Sequence, residues 1–131
     1  MIKFISILLL SILLIVLGCR GEPIYYFSNI CGFIKDTVAH GGVNNIVVDI
    51  YDYNPDNDMR GRHRGSDTTR TSNGQAGFYK MDSVCYGSNR GILTVGVMVD
   101  SAKNPTYHTI KTYQSVKDEV ETLPDIYIIR K

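Results

Sequence analysis

The sequence predicts an all-β protein, a sandwich of about seven antiparallel strands built from residues 29–131. Three observations predict it. Apolar and polar residues alternate along several short segments, the period-2 signature of a half-buried strand. Clusters of Gly, Asn, Asp, Ser and Pro separate those segments. No stretch sustains helical periodicity over ten or more residues. The best helical window, Gln114 to Glu121 with Val116 and Val120 four apart, is short and Val-rich.

The elements follow in chain order. Lys3 supplies a positive start, and Phe4 to Leu17 is a charge-free run of about 14 residues. A membrane-spanning helix needs ~20, so this run reads as the apolar core of a secretory signal over residues 1–18. The sequence turns polar at Arg20-Gly21-Glu22-Pro23. Residues 19–28 read as a short tether ending in Tyr25-Tyr26-Phe27, and residues 29–131 as the sandwich domain.

In Ile30 to Asp36, Ile30, Gly32 and Ile34 share one side. In Ile46 to Tyr53, Ile46, Val48 and Ile50 share a face, which turns Tyr51 and Tyr53 away from it. Thr68 to Thr71 is a short β-branched piece, followed by Gly77 to Val84. In Ile92 to Val99, Leu93, Val95, Val97 and Val99 align; Tyr107 to Tyr113 and Ile126 to Arg130 complete the set. The turns fall at Gly41-Gly42, Asn54-Pro55-Asp56, Asn73-Gly74, Ser88-Asn89 and Asn104-Pro105. The expected core is Ile34, Ile46, Val48, Ile50, Phe78, Val95, Val97 and Ile128.

Composition narrows the function classes. With 44% hydrophobic and 21% charged residues, the chain is too apolar for disorder. Setting aside residues 1–18 of the 131 leaves 113, and losing Lys3 leaves 13 basic against 13 acidic residues. That balance implies no nucleic-acid partner.

Val16-Leu17-Gly18-Cys19 resembles the bacterial lipobox. The resemblance implies cleavage after Gly18, lipid attachment at the Cys19 sulfur, and a bilayer as first partner. Two or three acyl chains anchor stably, where one is marginal. By the same resemblance Arg20, in place of an Asp that favours inner-membrane retention, implies an outer-membrane destination.

Gly32-Phe33-Ile34-Lys35-Asp36 is similar to the opening G-x-V-x-D of carboxypeptidase regulatory-like domains, which have a transthyretin-like sandwich. Gly41-Gly42-Val43-Asn44-Asn45-Ile46-Val47-Val48 fits the Gly-rich turn and V-x-V that follow, and Thr71 to Phe78 fits the next turn. Gly42 stands where the family has Pro. Asn45 replaces a Gly, which Asn tolerates because it visits the left-handed region. Phe78 comes two residues late. The likeness covers roughly residues 30–100. An immunoglobulin-like sandwich is the alternative fold, but the chain has no Trp for the core Trp of antibody-type domains.

Enzymes of related folds carry signatures that these residues do not match. The end Tyr127-Ile128-Ile129-Arg130-Lys131 does not match the terminal tetrapeptide of hydroxyisourate hydrolases. His40, His63 and His108 offer no closely spaced pair for iron as in intradiol dioxygenases, and no G-x-S-x-G or H-E-x-x-H occurs. No catalytic residue and no cofactor is therefore expected. Asp52, Asn54, Asp56 and Asp58 alternate like calcium ligands, but the turn glycine is missing, Pro55 stiffens the segment and His63 stands where a Glu is needed. A polar turn is the expectation, with no metal.

Arg60, Arg62, His63 and Arg64 alternate with Gly61 and Gly65 and could contact an anion, so the 52–67 segment is expected to be an exposed, mobile contact loop. Tyrosines on a sandwich face could stack sugars. Once Cys19 is lipidated, Cys31 and Cys85 are the two remaining thiols. An even pair in an exported chain favours a disulfide. Closing that ~54-residue loop would contribute roughly 4 kcal/mol.

The functional expectation is a non-enzymatic envelope lipoprotein, a small binding or structural module with an envelope protein or glycan partner. The alternatives are an accessory subunit of a glycan-uptake or secretion complex, and a small hydrolase or metal enzyme on the same fold.

Overall fold

The computed structural model describes residues 25–54, 58–88 and 94–131, with the side chains of all of these except 53–54, 58–60 and 86–88. Nine strands form among the described residues: β1 (Tyr25–Asp36), β2 (Val47–Asn54), β3 (Asp58–Thr68), β4 (Arg70–Ser72), β5 (Gln75–Ser88), β6 (Val95–Val99), β7 (Ile110–Gln114), β8 (Val120–Thr122) and β9 (Ile126–Ile128). One sheet runs β4-β5-β1-β8, with β9 also on β1; the other runs β3-β2-β6-β7. Their apolar faces meet in one core, so the all-β sandwich expected from the alternation is present.

Two features differ from the sequence reading, the parallel pairing of β8 and β9 and the strand at 58–68. The pairing is not wholly antiparallel: β8 and β9 both run parallel to β1, opposite residues 29–31 and 34–36. Over Gln114 to Glu121 no helix forms, in keeping with its short, Val-rich pattern: Val116 is buried in the core and Val120 opens β8. The segment expected as a mobile loop is largely strand. From Asp58 to Thr68 it pairs antiparallel with β2 as β3, at the edge of its sheet. An edge strand with a wet outer face carries charge to deter other chains, so dense charge there did not mean a loop.

β1 also begins earlier than expected. Its pairing with β5 starts at Tyr25, opposite Ser88, so the last four residues assigned to the tether are strand. Ser28, Ile30, Gly32, Ile34 and Asp36 point inward; Cys31 and Phe33 lie on the outer side. The turns are built as their residues dictate. Asn45 takes φ 63°, the left-handed value that its place in the Gly-rich turn requires. Asn73 (φ 47°) and Gly74 (φ 77°) form a two-residue hairpin turn between β4 and β5.

The expected core residues Ile34, Ile46, Val48, Ile50, Val95, Val97 and Ile128 are all buried. Phe78 is not. Gly77 has φ 86°, and a Cβ there would run into the Ile34 carbonyl and the Val43 nitrogen. This kink sets β5 so that Tyr79 enters the core and Phe78 turns outward. There Phe78 packs edge-on against Phe33 at 5.6 Å, and the Arg70 guanidinium lies 5.5 Å from its ring.

Tyr79 is fully buried, and its partner across β1–β5 is Gly32. The ring lies over the glycine so closely that a Cβ at residue 32 would stand 2.7 Å from Tyr79 Oη and 2.9 Å from Cζ. Tyr79 Oη has no hydrogen-bond partner among the described residues, and burial pushes the phenol well above its ordinary range.

Gly32→Ala should destabilise the protein by about 1–3 kcal/mol through overpacking against Tyr79. Tyr79→Phe, which removes only an unsatisfied hydroxyl, should leave stability unchanged or raise it. Urea denaturation of both variants checks the pair.

Candidate functional site

With Ile46, Val48 and Ile50 committed to the core, alternation places Asp49 and Tyr51 on the outer face of the β3-β2-β6-β7 sheet. Across the sheet Asp49 stands opposite Ser66 on β3 and Met98 on β6; Tyr51 stands opposite His63 and Gly96. A turn over Asp100–Asn104 supplies one more group. Asn104 is buried and ties that turn to β2: its side chain accepts from Val47 N at 2.8 Å and donates to Val47 O at 2.9 Å. This delivers Lys103 to the sheet face.

Asp49 becomes the centre of a polar cluster. Lys103 Nζ donates to Oδ1 at 2.6 Å and Oδ2 at 2.8 Å. Ser66 Oγ donates to Oδ1 in a short hydrogen bond, and His63 Nε2 lies 3.2 Å from the same oxygen. The carboxylate is almost wholly covered although His63 and Lys103 are half exposed. Burial alone would raise its pKa. The hydrogen bonds from Lys103, Ser66 and His63 outweigh that and hold it below its ordinary 3.8, while Lys103 is raised in turn, chiefly by its bond to Asp49.

Ser, His and Asp together invite comparison with a nucleophilic triad, and the geometry argues against one. A relay needs His to hold Asp with one ring nitrogen and accept the Ser proton with the other. Here the same Nε2 faces Asp49 at 3.2 Å and Ser66 Oγ at 3.4 Å, and Ser66 gives its proton straight to the carboxylate. To bond a carboxylate, Nε2 must carry a proton, so it cannot also take one from Ser66. The cluster ties β2, β3 and the 100–104 turn together; it does not activate Ser66.

Beside the cluster lies a cationic and aromatic patch. The Tyr51 ring packs edge-on against His63 at 5.3 Å. Lys111 Nζ lies 5.1 Å from the Tyr51 ring and 5.3 Å from the Tyr113 ring. Tyr113 is exposed. Such a surface can stack on a ring and attract an anion. Tyr51 was expected on this face; the side chain of Tyr53 lies outside the described residues.

The basic run does not stand as four equivalent groups on a hairpin tip. Arg62, His63 and Arg64 sit within β3. His63 is engaged by Asp49. Arg62 Nε lies 3.5 Å from Oδ1 of the buried Asp52, whose Oδ2 accepts from Cys85 N at 3.3 Å. Arg64 is exposed, and the side chain of Arg60 lies outside the described residues.

Asp52, Asn54 and Asp58 are strand residues, with Asn54 opposite Asp58 in the β2–β3 register. The side chains of Asn54 and Asp58, and Asp56 itself, lie outside the described residues. No group of three or more His, Cys, Asp or Glu suited to a metal occurs among the described residues. Cys19 also lies outside them.

The expected Cys31–Cys85 disulfide is not formed. Cys31 is opposite Lys80, whereas Cys85 is opposite Phe27. Four residues of β1 separate the two positions, about 13 Å along the strand. A disulfide needs Cα atoms within roughly 7 Å. The two also face opposite ways: Cys85 is buried, and Cys31 lies on the outer side, 3.5 Å from Thr122 Oγ1.

Lys103, Lys111, Ser66 and Tyr113 carried no signal in the sequence, because turns and pairings distant in the chain bring them to β2. Asp49 did carry one: it is an acid in the middle of the apolar run Val47-Val48-Asp49-Ile50. No protein-family model matches the chain, and comparison with curated proteins finds no relative.

Two outcomes are expected. A carboxylate whose folded pKa is depressed contributes stability above its unfolded pKa and loses it as pH falls through the folded value. Asp49 and Asp36 are both depressed, the latter by the Val38 and Ala39 amides and by Arg130. The melting temperature should therefore hold above about pH 4 and fall below it. Asp49→Asn should flatten that fall and cost about 1–3 kcal/mol at neutral pH by leaving Lys103 and the other donors poorly matched. Secondly, Arg64→Ser should change stability by less than about 0.5 kcal/mol. Arg62→Ser should cost on the order of 1 kcal/mol, because Asp52 then lies buried without its cation. Thermal and urea melts separate the two arginines.

Proposed function

We propose that this protein is a non-enzymatic lipoprotein of a bacterial envelope, acylated at Cys19 and presenting one small sandwich as a binding module. The observation that carries the reading is the spacing of anchor and fold. Val16-Leu17-Gly18-Cys19 ends a signal-like apolar run, and the first strand begins at Tyr25, six positions beyond the cysteine. A chain so arranged needs no further segment to reach the membrane.

The sandwich is read as a carboxypeptidase regulatory-like domain. Support comes from Gly32 on β1, from the left-handed Asn45 where the family places Gly, and from the Asn73-Gly74 hairpin. The binding surface proposed for it is the Tyr51–Lys111–Tyr113 face with Arg64 on the neighbouring edge strand. Its partner chemistry is acidic, a glycan or protein of the envelope. The non-enzymatic reading is favoured by the Asp49 cluster, in which Ser66 and His63 are both committed to the carboxylate.

Metabolic labelling with an alkyne fatty acid tests the anchor. The wild-type chain should take up label and fractionate with membranes, and Cys19→Ser should do neither. A Cys19→Ser variant that still carries label and sediments with membranes would overturn the proposal.

A further inference from the structure

At the end of the sandwich where β1 begins, three large side chains in a row are left uncovered. Tyr25, Tyr26 and Phe27 are 38%, 43% and 51% exposed. With Asn29 and Glu119 they line an open concavity of about 390 Å³. Val120, opposite Asn29 on β8, is 71% exposed and extends the apolar edge. A contiguous apolar surface of this kind on a small domain marks an interaction site.

We infer that this edge docks on the lipid bilayer itself, with Tyr25, Tyr26 and Phe27 seated at the headgroup–acyl boundary. The inference rests on the proposed acylation of Cys19 and adds a second, non-covalent contact to it. Covalent geometry supplies the argument. Six Cα steps join Cys19 to Tyr25, so whatever course they take, Tyr25 lies within about 20 Å of the lipidated residue. The exposed aromatics are thus the first part of the folded domain to meet the surface that holds the anchor. Tyrosine and phenylalanine suit that boundary: their rings leave water while the tyrosine hydroxyl stays wet.

The charge at this edge selects the type of lipid contact. Glu119 lines the concavity and Asp118 precedes it in the chain. Attraction to anionic headgroups is therefore disfavoured, and the contact is apolar and interfacial. It should form on zwitterionic phosphatidylcholine and persist at high salt, where a charge-driven contact would be screened.

The chain contains no Trp, so a single introduced indole reports one place. The experiment uses the mature acylated chain from Cys19 onward, its acylation verified by intact mass, reconstituted into phosphatidylcholine vesicles with and without brominated acyl chains. Phe27→Trp and, as a second reporter at the same edge, Tyr26→Trp should emit to the blue of their values in detergent-free buffer and be quenched by bromolipid, at low and high salt alike. Val38→Trp is the control. Val38 is 84% exposed in the turn after β1, and it lies roughly 30 Å further along that strand. It should show neither change. Vesicle-bound, acylated protein whose edge indoles both stay water-like and unquenched would overturn the docking while leaving the anchor intact. A chain that carries no acyl group and does not sediment with vesicles would overturn the anchor, and the docking with it.

Discussion

The rest of this sandwich depends on one close contact, the Tyr79 ring laid over Gly32. The two residues face each other across β1 and β5. The ring occupies the space that any side chain at residue 32 would need. A slip of one residue would put Cys31 or Phe33 beneath the ring and reverse which face of β1 is buried. The contact therefore fixes the register of the two longest strands. β1 in turn is the strand on which β8 and β9 assemble, so the register also fixes where the last part of the chain can dock. The C-terminal residues reinforce it: Arg130 Nε donates to Asp36 Oδ2 at 3.0 Å, and Lys35 meets Asp125 at 2.5 Å.

On the second sheet a buried charge organises the surface. Asp49 occupies the outer face of a central strand, where an uncompensated carboxylate would be costly. It is tolerated because two elements deliver three donors to it: β3 through His63 and Ser66, and the 100–104 turn through Lys103. Beside it Tyr51, Lys111 and Tyr113 form the aromatic–cationic part of this face.

Much of the fold was legible because β-alternation is local information. Ile46, Val48 and Ile50 in one segment and Val95, Val97 and Val99 in another declare their faces without reference to anything distant. Turn chemistry was equally local, as Asn45 and the Asn73-Gly74 pair show. What failed depended on partners remote in sequence. Phe78 lost its core place to Tyr79 because the kink at Gly77 is set by Ile34 and Val43 across the fold. The charged run from Asp58 read as a loop because nothing in it says that β2 lies alongside. The Asp49 cluster joins residues 49, 63, 66 and 103; of these only His63 was named from the sequence, and as an anion contact, although an acid in an apolar strand is itself a signal. Cys31 and Cys85 looked like a pair because counting thiols carries no register.

The β1–β5 register thus joins core and surface, since it places Tyr25 to Phe27 at the exposed rim and keeps the two thiols on opposite faces. Thiol accessibility measures it most directly. In the native chain without reductant, Cys31 should alkylate readily and Cys85 only on unfolding, with an intact mass showing both as thiols. A mass two hydrogens lighter, with neither residue alkylated until reductant is added, would mean that Cys31 and Cys85 are bonded. The register described here would then be wrong.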